Sequence, residues 1–161
     1  MTNQIDVTDL LLRDHRLIDG LAEQLDAADD PAEIQRLYQR IVEELTAHEA
    51  AEQEVVFPAF QAALENADET VSHRLGEHEE MNALLAEMRG LAPDCFGFTK
   101  RGSALLLEVK AHFLREEESV FDRMRATFST DELTELGRRA LIAKDHSPAF
   151  SDDDRRLGAD H

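Results

Sequence analysis

Apolar residues recur at intervals of three and four along most of this chain, the spacing that lays one apolar stripe along an α-helix. Leu11, Ile18, Leu21 and Leu25 mark a first helix. It starts near Asp6 or Thr8, either of which can cap it, and runs to about Ala27. The run Asp29-Asp30-Pro31 opens a second: Asp30 can cap it, Pro31 suits the first helical position, and Glu33 completes a capping box. Its stripe passes through Ile34, Leu37, Ile41, Leu45, His48, Glu52 and Val55 toward Glu65, with a kink expected at Pro58. A third helix is predicted from about Asp68 to Leu91, with Val71, Leu75, His78, Met81, Leu85 and Met88 inward. The stretch "APDCFGF" reads as a turn. A fourth helix then spans about Thr99 to Thr127, its stripe Leu105, Val109, His112, Glu116 and Val120. Ser129 or Thr130 caps a short fifth helix ending near Lys144.

Four long helices with short connections predict an all-α fold, an up-down-up-down four-helix bundle, with the fifth helix across its outside or end. Residues 1–146 form one domain in this reading, and the polar, acidic segment 147–161 is an expected disordered tail. Two halves that each carry a His-x-x-x-Glu helix hint at a repeated helix pair, but the identity between them beyond that motif is too weak to extend it.

Composition narrows the function. A formal net charge of −18 argues against nucleic acid and against an anionic membrane surface, both of which need clustered Lys and Arg. No apolar run approaches membrane-spanning length. The single cysteine, Cys95, allows no intramolecular disulfide, and the N-terminus has no signal-like apolar region, so a cytoplasmic location is expected.

The chemistry lies in the polar residues that interrupt the apolar stripes. His15, His48, His78 and His112 each take an inner position, one per long helix. Glu52 and Glu116 follow His48 and His112 by four residues, which stacks each pair about 5–6 Å apart on one face. A lone histidine on such a stripe is ordinarily a hydrogen-bonded core residue, and a single His-x-x-x-Glu an exposed helix pair. Six such residues on the inner faces of four helices reverse that reading, because a buried unpaired carboxylate costs at least a few kcal/mol. A metal cation satisfies imidazole and carboxylate together. Four imidazoles and two bridging carboxylates supply about eight bonds, where two six-coordinate ions take about twelve. A bridging oxygen adds two, leaving room for a small ligand such as O2, peroxide or NO. His73, His146, His161 and Tyr38 fall off these stripes or near the tail, and Tyr38 reads as a partly buried surface residue.

The segments "RDHRLID", "HEAAEQEVVFPAF", "GEHEEM" and "HFLREEESVF" together resemble the hemerythrin family, specifically the hemerythrin-like HHE cation-binding domains, over about residues 8 to 128. The resemblance implies that His15, His48, His78 and His112 are terminal ligands and Glu52 and Glu116 bridging carboxylates. It also implies a cofactor of two iron ions, Fe2+/Fe3+, with an oxo or hydroxo bridge. Two departures stand out. Oxygen-carrying hemerythrins have a second third-helix histidine, four residues earlier; here that position is Arg74. Their fourth-helix carboxylate is an Asp five residues after the histidine, whereas Glu116 lies four after His112. Glu49 is a candidate seventh ligand in place of the missing imidazole, as an extra carboxylate is in divergent iron-sensing members.

More oxygen ligation favours the ferric state and peroxide chemistry over reversible O2 carriage. The expected function is catalase-like peroxide disproportionation in oxidative-stress defence, with Arg74 or Glu77 aiding proton movement near His78. The alternative is a module that binds or senses O2, NO or iron without turnover. A ferritin-like carboxylate site is disfavoured because no histidine has a Glu three residues before it. Zn and Mn remain compatible with the donor set.

Overall fold

The computed structural model describes residues 4–147. Its helices are α1 (Val7–Ala27), α2 (Pro31–Ala51), α3 (Phe57–Ala63), α4 (Ala67–Arg89), α5 (Phe96–Glu116), α6 (Asp122–Thr127) and α7 (Thr130–Asp145). Five-residue π-helical segments, Glu52–Val56 and Glu117–Phe121, join α2 to α3 and α5 to α6. The four long rods are therefore α1, α2–α3, α4 and α5–α6, the all-α bundle expected, with α7 as the extra helix.

Local chemistry sets the helix starts. Asp6 accepts a hydrogen bond from the Thr8 amide at 2.7 Å, and Asp30 accepts one from the Glu33 amide at 3.1 Å. The expected box at Asp30 is not the arrangement found: the Glu33 carboxylate instead pairs with the Arg36 guanidinium one turn on. A full capping box does form at Ser129, through reciprocal bonds with Glu132 at 3.0 and 3.1 Å. The "APDCFGF" turn is shorter than expected. Cys95 caps α5, its sulfur accepting from the Phe98 amide, so the helix begins at Phe96 rather than Thr99.

The second rod carries a π segment in place of a simple proline kink. Proline at 58 lacks an N–H and would press on the carbonyl four residues back, and a wider turn relieves that contact. Proline is not the whole cause, because the other π segment is followed by Asp122 and Arg123, with no proline. In both, the first residue after the segment donates its amide five residues back: Phe57 to the Glu52 carbonyl, Asp122 to the Glu117 carbonyl. The halves are thus more alike than the ligand motif suggests. Aligning His48 with His112 also pairs Glu52 with Glu116, Glu54 with Glu118, Val56 with Val120 and Phe57 with Phe121.

Two apolar cores fill the bundle. One gathers Ile18, Leu21, Ile41, Leu45, Met81, Leu105 and Val109. The other gathers Leu11, Val55, Phe57, Phe60, Val120, Phe121 and Met124, with Leu133, Leu136, Ala140 and Ala143 of α7. On every rod the inward His or Glu falls between the residues of these two cores. Tyr38 belongs to the first core rather than to the surface: it is buried, its hydroxyl donates to the Leu85 carbonyl at 2.6 Å, and its ring meets Phe98 edge-on. The tail expected over 147–161 lies outside the described residues except for Ser147, which is buried.

Gly137 lets α7 lie against the N-terminus of α1. A Cβ there would stand 2.0 Å from the Ile5 carbonyl oxygen and 3.2 Å from the Val7 nitrogen. Gly20, within α1, has no neighbour within 4 Å of such a Cβ. Gly137→Ala is therefore expected to destabilise the protein by about 1–3 kcal/mol, and Gly20→Ala to stabilise it by about 0.5–1 kcal/mol. Urea unfolding checks both, and equal midpoints for the two variants would contradict the close approach.

Candidate metal centre

The two cores leave a polar layer between them, and it contains all six inward residues. His48, Glu52, His78, His112 and Glu116 are at most 1% exposed, and His15 is 3% exposed. Their polar tips converge. His15 Nε2 lies 3.0 Å from Glu116 Oε1, His48 Nε2 is 2.9 Å from Glu52 Oε1, His78 Nε2 is 3.4 Å from Glu52 Oε1, and His112 Nε2 is 3.3 Å from Glu116 Oε2. Donor atoms from Glu52, His78, His112 and Glu116 lie within 4.8 Å of one another, and so do those of His15, His48 and Glu116. Glu116 belongs to both groups. Glu52 Oε1 also touches both, since it faces His48 and His78.

The opposite ring nitrogens are held from outside the layer. His48 Nδ1 lies 2.9 Å from Asp14 Oδ2, His112 Nδ1 3.0 Å from Glu77 Oε1, and His15 Nδ1 3.1 Å from Glu117 Oε2. A carboxylate only accepts, so Nδ1 donates in each of these pairs, which in a neutral ring leaves the Nε2 lone pair facing inward. Gln53 Nε2 lies 3.2 Å from His78 Nδ1, so as placed the amide donates and the ring nitrogen accepts; the carboxamide turned over would accept through its oxygen instead. These four partners close a ring. Asp14 on α1 holds the α2 histidine, Gln53 after α2 holds that of α4, Glu77 on α4 holds that of α5, and Glu117 after α5 holds that of α1. Each partner is next in sequence to an inward residue. The rings are also fixed by packing: His15 stacks on Phe113 with centroids 3.8 Å apart, and His78 on Phe57 at 5.8 Å.

Of the inward atoms, His15 Nε2 meets Glu116 Oε1 at 3.0 Å and His48 Nε2 at 3.2 Å, and most of the others lack a partner. Both Glu52 oxygens, Glu116 Oε2, His78 Nε2 and His112 Nε2 are buried with no hydrogen-bond partner among the described residues. The electrostatics reflect this crowding. Burial pushes the Glu52 carboxyl well above its usual range, and the charge of Glu116 adds to the effect. Burial opposes ionisation of Glu116 too, yet close polar contacts with Glu52, His112, His15 and His48 hold it well below that range. Burial drives His78 down to about 3. His48 and His112 are raised against the same burial, His48 by Glu52, Asp14 and Glu116, and His112 by Glu116 and Glu77. Protons thus do here what a cation would do better, and the donor set fits one: imidazole lone pairs and carboxylate oxygens aimed at one space, with orienting groups behind them.

The remaining candidates separate clearly. Glu49 is buried and adjacent to His48, with Oε2 accepting from Asn82 Nδ2 at 2.9 Å and Oε1 unpartnered. It is in neither donor group, and burial pushes its carboxyl up to about 7. Glu77 holds His112 rather than His78, while the charge of Arg74 bears on His78 as expected. The Arg74 Nε is 2.7 Å from Glu77 Oε1, its Nη1 donates to the Ser119 hydroxyl, and Arg115 also pairs with Glu77. His73 and His146 are exposed, and His161 is outside the described residues. Asp14, Gln53 and Glu117 were absent from the sequence reading. The signal that finds them is the polar residue beside each stripe ligand, a position that reaches around the helix to the neighbouring rod. A surface pocket of about 230 Å³ opens beside His15, Phe113 and Glu117. Among the described residues, no helix is long and apolar enough to cross a membrane.

Known proteins agree with this architecture. The family model of the hemerythrin HHE cation binding domain matches residues 6–123. A hemerythrin HHE cation binding domain-containing protein from Mycobacterium kansasii shares the fold, with a TM-score of 0.77 at 19% identity, covering 97% of this chain and 94% of that one. A curated Nostoc protein named DNA nickase is 27% identical over 140 residues, 87% of this chain but 39% of that protein. With all six inward residues inside the matched region, this chain belongs to the hemerythrin HHE cation-binding domain family.

Proposed function

We propose that this chain is a non-haem di-iron protein. His15, His48, His78 and His112 are its terminal ligands, Glu52 and Glu116 span the two ions, and a small oxygen or nitrogen ligand reacts or binds there. The observation that carries this reading is the convergence of four buried Nε2 atoms and two buried carboxylates, with both Glu52 oxygens, Glu116 Oε2, His78 Nε2 and His112 Nε2 unpartnered while every Nδ1 is held. Glu49 is the seventh ligand in this reading, supported by its burial and its free oxygen beside His48. When bound, the iron pair supplies two redox-active Lewis acids that exchange electrons with the ligand.

The reaction we favour is disproportionation of two hydrogen peroxide molecules to water and O2. The residues' part is to bind and to exclude. The two cores keep bulk water from the layer, the ring of Nδ1 partners keeps the imidazoles aimed, and Glu117 at the surface pocket offers a carboxylate that can pass protons. Arg74 stands where an added imidazole would raise the nitrogen count, which leaves an oxygen-rich donor set suited to ferric iron. A second reading is a binding or sensing module without turnover. It is favoured by the Nostoc relative, of whose length this chain spans 39%, so the domain also occurs within a larger protein. The relative's named activity carries over poorly, because a net charge of −18 repels phosphate backbones.

Iron-loaded protein given H2O2 is expected to evolve O2 in a Clark-electrode assay. A change in the optical spectrum without O2 would favour binding or sensing, and failure to take up iron would overturn both. By elemental analysis, Glu52→Ala and Glu116→Ala are each expected to lose bound iron and the rise in melting temperature that iron confers, and Glu49→Gln to lose only part of it. Full iron occupancy in both alanine variants would contradict the bridging assignment.

A further inference from the structure

We propose that Lys144, on α7 and outside the region matched by the family model, is a positioning residue for the metal ligand His48, acting through Asp14. The inference rests on the metal reading above. Lys144 Nζ lies 2.5 Å from Asp14 Oδ1, and the other carboxylate oxygen receives His48 Nδ1–H at 2.9 Å. Asp14 and His48 are both buried, and Lys144 is 17% exposed at its side chain. The ammonium engages the oxygen that His48 does not use. It therefore clamps the carboxylate, and the clamped carboxylate fixes the imidazole whose Nε2 faces Glu52. Without Lys144, one oxygen of a buried carboxylate loses its partner, and Asp14 is free to turn from His48.

The placement gives α7 a role beyond covering the bundle. Its Leu133, Leu136, Ala140 and Ala143 pack into the core that also holds Leu10 and Leu11 of α1, one turn before Asp14. Docking of α7 delivers Lys144 to Asp14, and the aim of His48 then depends on that docking. The dependence is reciprocal: a metal that holds His48 in place stabilises the docked α7 by the same free energy. Of the other histidine partners, Glu77 has comparable cationic support, from Arg74 and Arg115 on the main rods. Only the α2 histidine is supported, among the described contacts, by a helix added beyond the four rods.

The test uses the full chain loaded with Co2+, whose visible ligand-field bands report the geometry of its donors, and with Fe2+ challenged by a chelator. Lys144→Met, which keeps the aliphatic stem, is expected to shift the Co2+ bands and speed iron loss several-fold, with Lys144→Arg restoring both. Asp14→Asn is expected to weaken metal binding roughly 10- to 100-fold, the usual effect of losing an orienting partner. Adding Lys144→Met to Asp14→Asn is then expected to change nothing further. Amide exchange in α7 should slow on metal loading in the wild type and not in Lys144→Met. If the methionine variant does not fold, Lys144→Gln replaces it in every arm. Unchanged Co2+ bands and iron loss in a folded Lys144 variant, or additive effects in the double variant, would overturn the proposal while leaving the metal reading intact. A wild type that takes up no metal would overturn both.

Discussion

The structure depends on a closed circuit of hydrogen bonds around a buried polar layer. Each rod contributes one inward histidine and one outward-reaching neighbour that holds the histidine of the next rod. Removing any link would leave a ring free to turn and a buried group without its partner, which costs about 1–3 kcal/mol even before function is considered. The circuit explains how six polar side chains can sit between two apolar cores: their outer atoms are satisfied by protein, and their inner atoms converge in an arrangement that fits a cation.

The π segments serve the same layer. Glu52 begins the first, and Glu116 immediately precedes the second. Each segment inserts one extra residue per turn just beyond a carboxylate. Val55, Val56 and Phe57 are all buried beyond Glu52, as are Val120 and Phe121 beyond Glu116. Widened turns of this kind are frequent at functional sites. Here they let the rod turn a carboxylate into the polar layer and still present the following aromatic residue, Phe57 or Phe121, to the second core.

Most of the architecture was legible in the stripes. The helices, their order and the inward place of all six polar residues follow from the 3.6-residue period, because each interrupts an otherwise apolar face. Three features were not legible. The π segments change the period locally, and Pro58 marks only one of them. The Asn82 bond to Glu49 and the Lys144 bond to Asp14 join residues 33 and 130 positions apart, so no local pattern announces them. The burial of Tyr38 was missed because its hydroxyl finds the Leu85 carbonyl, a partner on a different rod. Periodicity tells which face turns inward; it does not tell which polar group across the bundle will meet it.

The central claim is that the inward atoms hold two ions side by side. The direct measurement is anomalous diffraction at the iron edge from crystals of the iron-loaded protein. The account predicts two peaks inside the polar layer, one among His15, His48, Glu52 and Glu116 and the other among His78, His112, Glu52 and Glu116. A single peak in the layer, or iron bound elsewhere with the layer free of it, would contradict the account.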